Sequence, residues 1–304
     1  MIKVFPRIRL LLTIISVVTL STLVGVPDHQ AQASTCADIL TRALNTLKSS
    51  CRQLGRDEAC YGNALVVADL RDALHFTQRG DQVPVQAIRS LTTSPFNEAR
   101  EEWGLSLLKL KTNLPDTLPG QNVTVLVYGD TKLENDSGNM QAFYFSTGLG
   151  APECKEMPAS GVLVRAPKRT TVTFRANGVD VRIGSTALLT ANPNDQLTFT
   201  LIEGSAILTS DGMAQTVKPM EMVTVPLGGA TGLQAIGVPS LPTPVTLDPA
   251  LQPVIRALDA LEVAPAARPT AGAGSAPTAT PQPASGGAPA PSAPQPTPTR
   301  LFGG

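Results

Sequence analysis

Gln196-Leu-Thr-Phe-Thr-Leu-Ile-Glu-Gly-Ser-Ala-Ile-Leu-Thr-Ser-Asp-Gly212 holds two short apolar runs, joined through Glu203-Gly204 and closed by Asp211-Gly212. Both runs are rich in β-branched and aromatic residues, and both end at residues that tolerate positive φ. They predict strands at Gln196–Ile202 and Ala206–Thr209. Asp211-Gly212 is a type I′ hairpin signal, because both central residues of that turn need φ > 0.

The same rhythm extends in both directions across residues 161–227. Strands are expected at Val162–Arg165, Thr171–Arg175, Val179–Ile183, Ala187–Thr190, Thr216–Val217 and Met222–Val225. Between them stand Pro167, Asn177-Gly178, Gly184, Asn192-Pro193-Asn194 and Pro219. Short strands at even spacing indicate an all-β sandwich, roll or short β-helix.

Upstream, residues 75–160 also read as β-rich. Gly80-Asp81 separates His75-Phe-Thr-Gln from Val83-Pro-Val, which predicts two short strands with Pro84 on an edge. In Trp103–Lys111 the pattern alternates, with Leu108 and Leu110 on one side and Lys109 and Lys111 on the other. Leu114–Gly120 is a loop. Asn122–Tyr128 is a strand stopped by Gly129-Asp130, and a polar stretch then leads to a further strand at Ala142–Phe145.

The period is helical before that. Ile39, Leu40, Ala43, Leu44 and Leu47 recur at helical spacing over 36–54, and Gly55 ends the run. A second helix at about 57–65 would complete an N-terminal helical hairpin within 34–74. Residues 228–264 form a linker holding one short amphipathic helix at 248–262, carried by Leu251, Val254, Ile255, Leu258 and Leu261. Residues 265–304 are almost entirely Pro, Ala, Gly, Ser and Thr, with Arg268 and Arg300 as the charges. Such a segment has too little apolar surface to offset its ordering entropy, so a disordered tail or spacer is expected.

At the front, Lys3, Arg7 and Arg9 precede the apolar run from Leu10 to Val24, which is followed by Ala31-Gln32-Ala33. Basic flank, apolar stretch and A-x-A form a secretory signal peptide over 1–33. The apolar core of about 15 residues is short for a span of about 20, so cleavage near Ser34 is favoured over a retained anchor. The expected location is extracytoplasmic, in the cell envelope or secreted. Removing 1–33 takes three cations and one anion from the 24 basic and 24 acidic residues, leaving 21 and 23 and a net charge of −2. That balance provides no electrostatic footprint for nucleic acid or an anionic membrane surface.

The four cysteines, Cys36, Cys51, Cys60 and Cys154, all follow the expected cleavage site. An even count in an exported chain favours two disulfides. Three connectivities are open. Cys51–Cys60 with Cys36–Cys154 is the favoured one, closing a short helical connection and tying the N-terminal segment to the later body. Zinc would need paired C-x-x-C spacing or nearby histidines.

Chemistry is thinly represented, and neither a catalytic residue nor a cofactor or metal ligand is assigned. His75 is the one histidine past residue 33, and G-x-S-x-G is absent. Asn122-Val-Thr and Asn135-Asp-Ser match the glycosylation sequon. Glu101-Glu102 beside Trp103 reads as a solvated pair next to a core tryptophan, since adjacent strand residues point to opposite faces and paired catalytic carboxylates must flank a cleft. The Gly129-Asp130 and Asn135-Asp136 loop offers oxygen ligands for calcium, but no more than an ordinary turn does.

Three stretches resemble the FecR-like domain of bacterial extracytoplasmic proteins: Asn177-Gly-Val-Asp-Val-Arg-Ile-Gly-Ser-Thr186, Leu197-Thr-Phe-Thr-Leu-Ile-Glu-Gly-Ser-Ala206 and Thr216-Val-Lys-Pro-Met-Glu-Met-Val-Thr-Val225. In the last of these Met220 stands where the family usually has a turn glycine. That family includes periplasmic portions of iron-signalling regulators that act with a cytoplasmic anti-sigma segment. About nine residues precede the apolar run here, so that regulatory mechanism is not carried over.

The resemblance implies a FecR-like β-sandwich or β-roll at 161–227, with a protein-contact or sensing role and an envelope or extracellular protein or polymer as partner. The expectation is a mainly β, non-catalytic interaction, sensing or scaffolding module. The alternatives are a secreted hydrolase built from dispersed carboxylates such as Glu101, Asp130 and Glu203, and a structural envelope or matrix component.

Overall fold

The computed structural model describes residues 35–111, 122–148, 152 and 154–262. The expected signal peptide, the 114–120 loop and the 265–304 tail lie outside the described residues.

Helix α1 (Cys36–Ser50) starts at a reciprocal cap. The Thr35 hydroxyl accepts the Asp38 N–H at 3.2 Å, and the Asp38 carboxylate accepts the Thr35 N–H at 3.1 Å. Two otherwise orphaned donors are thereby satisfied. Ile39, Leu40, Ala43, Leu44 and Leu47 are its buried residues.

No second helix follows within residues 51–74, so the expected helical hairpin has one arm. Residues 58–61 are strand β1 (Glu58–Tyr61), bounded by Asp57 and Leu65 at φ 58° each. Tertiary pairing overrides the local pattern here, because Ala59, Cys60 and Tyr61 are all buried within a sheet. Gly62 belongs to that packing, since a Cβ there would collide with the Leu47 side chain on α1 and lie 3.0 Å from the Leu105 carbonyl.

Strand β2 (Val66–Leu70) comes next, but His75–Gln78 is not a strand. The Asp81 carboxylate accepts the N–H groups of Thr77 and Gln78 at 2.8 and 3.0 Å and bends that segment into a turn. Strand β3 (Gln82–Pro84) ends at Pro84 on a sheet edge. Then come β4 (Ile88–Thr93), β5 (Leu105–Leu110), β6 (Val123–Tyr128), β7 (Thr131–Asn135) and β8 (Ala142–Thr147).

The later half supplies β9 (Gly161–Arg165), β10 (Val172–Ala176), β11 (Val179–Ile183), β12 (Thr186–Ala191) and β13 (Gln196–Glu203). It continues with β14 (Ala206–Ser210), β15 (Met213–Val217) and β16 (Glu221–Gly228). Asn177 and Gly178 have φ 51° and 84°, and Asp211 and Gly212 have φ 48° and 72°, the signs a type I′ turn requires.

The strands form two sheets. One runs β16-β13-β12-β9-β6-β5-β1-β3 and the other β15-β14-β11-β10-β8-β7-β4-β2. Strands β1 to β4 alternate singly between the sheets and hairpins alternate from β5 onward, so both sheets lengthen in the same direction. Among the later strands, β9 interrupts the alternation of hairpins by crossing alone. It reverses the chain between β8 and β10, and those two strands are therefore parallel, with Arg175 opposite Ala142 and Ala176 opposite Phe143. In its own sheet β9 pairs antiparallel with β6 and β12, so that sheet continues through residues 160–161 without a break.

Inward-facing residues such as Val125, Val127, Val164, Phe199 and Val223 fill the space between the sheets. The alternate residues Leu126, Tyr128 and Leu163 form a second core on the outer face of the β6–β9 sheet, beneath α1 and helix α2 (Leu251–Glu262). Three layers result: sheet, sheet and a pair of helices. Between β16 and α2 a strap follows the outer edge, pairing briefly as β17 (Gln234–Ala235) and β18 (Thr243–Pro244).

Candidate functional site

The four cysteines form two disulfides, Cys36–Cys154 and Cys51–Cys60, with Cα separations of 6.2 and 5.8 Å. Both anchor α1. One bond ties its first residue to the segment after β8, and the other ties its C-cap to β1. Cys51 and Cys60 are fully buried, whereas Cys36 is partly exposed. Cys36, Cys154 and Glu98 lie close enough to suggest a metal cluster. Both sulfurs are consumed in the disulfide, so the grouping offers no thiolate.

The carboxylates named from the sequence do not converge. Glu101 pairs with Arg42 of α1 and takes φ 52° on the loop before Trp103. Asp130 follows β6, where its backbone N–H donates to the Ser160 hydroxyl at 2.8 Å beside the start of β9. Glu203 sits at the other end of β9, 3.7 Å from Arg165. Four residues of strand separate the two ends of β9, about 13 Å at the usual rise. Glu102 is ion-paired with Arg100.

The calcium-loop reading fails because Gly129-Asp130 and Asn135-Asp136 stand at opposite ends of β7. The Asn135 amide is also fully engaged, donating to Val85 O and Ile88 O at 3.1 and 3.0 Å and accepting the Met140 N–H at 3.2 Å. The same bonds and the burial of the residue make Asn135 a structural amide and not a glycan acceptor. The other sequon residue, Asn122, accepts a hydrogen bond from Arg56 at 3.1 Å. His75 lies exposed in the loop before the Asp81 turn.

Arg165 and Tyr128 are among the buried polar groups that escaped the sequence reading. Arg165 is buried in β9, pairing with Asp259 of α2 as well as with Glu203. It stands opposite Thr124 and Thr186 on the outer sheet face. Only the tertiary fold brings Asp259 to it, 94 residues along the chain. Tyr128 packs edge-on against Trp103 with ring centroids 5.6 Å apart. Burial, with a smaller push from Asp248, raises its phenol well above the ordinary tyrosine range. A tyrosine held protonated in this way is a packing element and not an acid–base group at neutral pH.

The surface with the greatest capacity for contact is apolar. Of the eight exposed large hydrophobic residues among those described, six lie between 207 and 241: Ile207, Met213, Met220, Ile236, Val238 and Leu241. Leu241, at 79% exposure, stands out furthest. Ile207 lies on β14, Met213 on β15, Met220 in the turn before β16, and Ile236, Val238 and Leu241 on the strap. The Ser210 hydroxyl donates to the Gly237 carbonyl at 2.7 Å and holds the strap against the β14–β15 hairpin. Clustered exposed apolar side chains mark interaction sites more often than isolated ones do, and the strap carries three of these six, Ile236, Val238 and Leu241, within six residues.

No family model matches this chain, and no curated protein does. Two solved structures show a partial likeness, both crystal structures of a provisionally assigned anti-sigma factor from Parabacteroides distasonis ATCC 8503. Identities are 10% and 11%, and TM-scores are 0.31 and 0.28. The matches cover 51% and 46% of this chain and 59% and 60% of those chains. This chain therefore spans about three-fifths of the proteins it matches, and at such TM-scores the likeness carries no argument about fold or function.

Proposed function

We propose that this chain is an exported, non-catalytic module that binds an envelope or extracellular protein or polymer through the exposed apolar side chains of the strap, above all Leu241. The observation that carries this reading is the concentration of exposed apolar side chains there, on a scaffold tied by two disulfides. Disulfides persist in oxidising compartments, which agrees with export past the signal peptide read at 1–33. No helix among the described residues is long and apolar enough to cross a membrane.

A FecR-like module at 161–227 remains part of the proposal, and one backbone angle supports it. Met220, where that family usually has a glycine, takes φ 63°. The turn keeps the conformation a glycine would adopt and changes only the side chain.

A photo-crosslinking residue at Leu241, in the chain expressed in its exporting host, tests the binding surface. The expected result is one reproducible adduct that is absent when the probe sits on the exposed α1 residue Thr41. Intact mass of the exported chain should place its N-terminus near Ser34. A hydrolytic activity on glycan or ester substrates that is lost in Glu101→Ala, Asp130→Ala or Glu203→Ala would overturn the non-catalytic reading.

A further inference from the structure

The four sheet edges of this sandwich are not treated alike. Strand β3 is three residues long and ends at Pro84. The opposite edge of the same sheet is covered by the strap, where Ile236 N–H donates to Pro226 O at 3.0 Å and Ser240 N–H donates to Thr224 O at 2.8 Å. Pro239, Pro242 and Pro244 then leave the strap few donors of its own. In the second sheet, edge strand β2 carries a bulge at Asp69/Leu70 and an ion pair between Asp69 and Arg89. Short strands, prolines, bulges and charges are the usual protections against edge-to-edge pairing. The remaining edge, β15, has none of them. Met213-Ala-Gln-Thr-Val217 is uncharged and proline-free, and among the described strands it pairs, in unbroken register, with β14 alone.

The hairpin geometry sets which groups this edge presents. A two-residue turn at Asp211-Gly212 makes Ser210 and Met213 the closing hydrogen-bonded pair. By alternation, Gln215 and Val217 also direct their backbone groups to β14, and Ala214 and Thr216 direct theirs outward. One outward carbonyl, that of Thr216, accepts the neighbouring Gln215 side-chain amide at 3.2 Å and keeps its second lone pair for a partner strand. Ala214 and Thr216 are exposed, and so is Met213 at 55%.

We infer that a second copy of this chain adds here, β15 against β15 in antiparallel register about a two-fold axis at Gln215, joining the two sheets into one. In this register Ala214 and Thr216 of one copy exchange backbone hydrogen bonds with Thr216 and Ala214 of the other. Residues directly opposite in an antiparallel pair share a face. Met213 therefore meets Val217 of the second copy on the core-facing side, beside the strap residues Ile236 and Val238. The charges also match: exposed Asp211 at one end of β15 comes beside exposed Lys218 of the second copy, and the axis repeats the contact at the other end. A symmetric contact of this kind closes on itself and stops at a dimer.

The test uses the chain as isolated from an exporting host, with both disulfides intact. Sedimentation across a micromolar to millimolar series should give twice the monomer mass. Ala214→Pro removes only an outward N–H, so the melting curve should hold while dimerisation weakens at least about tenfold, the equivalent of one or two lost hydrogen bonds. Gln215→Cys places the two thiols opposite each other at the axis, where side chains approach closely. Mild oxidation should convert that variant to a covalent dimer, and adding Ala214→Pro should suppress the cross-link. Asp211→Lys alone should weaken the dimer, and Asp211→Lys with Lys218→Asp should restore it. A chain that stays monomeric throughout the series, or a dimer indifferent to Ala214→Pro, would overturn the inference.

Discussion

The side-chain amide of Asn177 replaces a missing strand for Phe145. Its Oδ1 accepts the Phe145 N–H at 3.0 Å and its Nδ2 donates to the Phe145 carbonyl at 2.9 Å. The parallel pairing of β8 with β10 lasts only two residues, because β10 turns away into its hairpin while β8 continues. The backbone of Asn177 makes the turn at φ 51°, and its side chain carries the sheet one residue further. Each buried group left unpaired costs about 1–3 kcal/mol, so Asn177→Ala is expected to destabilise by about 2–4 kcal/mol in chemical denaturation. Asn177→Gly should cost a similar amount although the turn itself is relaxed. A glycine variant as stable as the parent would refute the role of the amide.

Met220 tests the opposite effect. Its N–H donates to the Leu201 carbonyl at 2.8 Å, and the Glu221 N–H closes the turn on Lys218 O at 3.1 Å. A left-handed L-residue costs roughly 1–2 kcal/mol, of which glycine returns about half through unfolded-state entropy. Met220→Gly should therefore stabilise by up to about 1 kcal/mol, and Met220→Val should destabilise. Thermal melts of the two variants decide the matter.

Arg165 holds α2 to the sheet through Asp259. Replacing Asp259 with Ala removes one ion-pair partner from the buried guanidinium and leaves Glu203, at 3.7 Å, as another. The Asp259 side chain is 53% exposed, so solvent screening reduces the loss to about 1–2 kcal/mol. Hydrogen exchange should show the loosening first in residues 251–262. Arg165→Met keeps the stem and removes the charge, and it should cost less than Asp259→Ala.

The disulfides should separate under reductant. Cys36 is partly exposed and Cys51–Cys60 is fully buried, so mild dithiol should open Cys36–Cys154 first, as mass-mapped alkylation would reveal. Cys36–Cys154 spans 118 residues and Cys51–Cys60 spans 9. On the chain-entropy account a loop of that longer size contributes about 4–5 kcal/mol and the short one about 2–3. Cys36→Ser/Cys154→Ser should accordingly lower stability more than Cys51→Ser/Cys60→Ala.

Asp81 introduces an acid dependence. The N–H groups of Thr77 and Gln78 hold its carboxyl below the ordinary aspartate value, with His75 helping slightly. A depressed folded-state value means its contribution is complete above the unfolded pKa of about 3.9 and is lost as pH falls through the folded value. Exchange protection at Thr77 and Gln78 should fade in that acidic window. In Asp81→Asn the protection should be weaker at neutral pH and flat across the window.

Much of the fold was legible in the chain, for reasons that particular residues make plain. From 161 to 227 each strand is bounded by a residue with a fixed backbone role, so Val179–Ile183 begins and ends where the pattern places it. Helix α1 declares itself through periodicity and its Thr35–Asp38 cap, and α2 through its five apolar residues. In the earlier half those boundaries blur. Strands β2, β4 and β7 have weak alternation, and β7 is polar enough to read as loop until its partners β4 and β8 are known. Residues 57–65 misread as helix because the reason for Gly62 lies in Leu47 and Leu105, remote in sequence.

The sequence by itself determined a mainly β body, one amphipathic helix at each end of it and four cysteines available for pairing, because strand period, turn chemistry and helix period are local properties. Only the tertiary structure decided that two sheets run unbroken through residues 160–161, that Arg165 meets Asp259, and that Asn177 completes the ladder of Phe145. Pairing between strands depends on contacts distant along the chain, and no local pattern encodes a partner. For the same reason the exposed edge at β15 became visible only when the other three edges were seen to be protected.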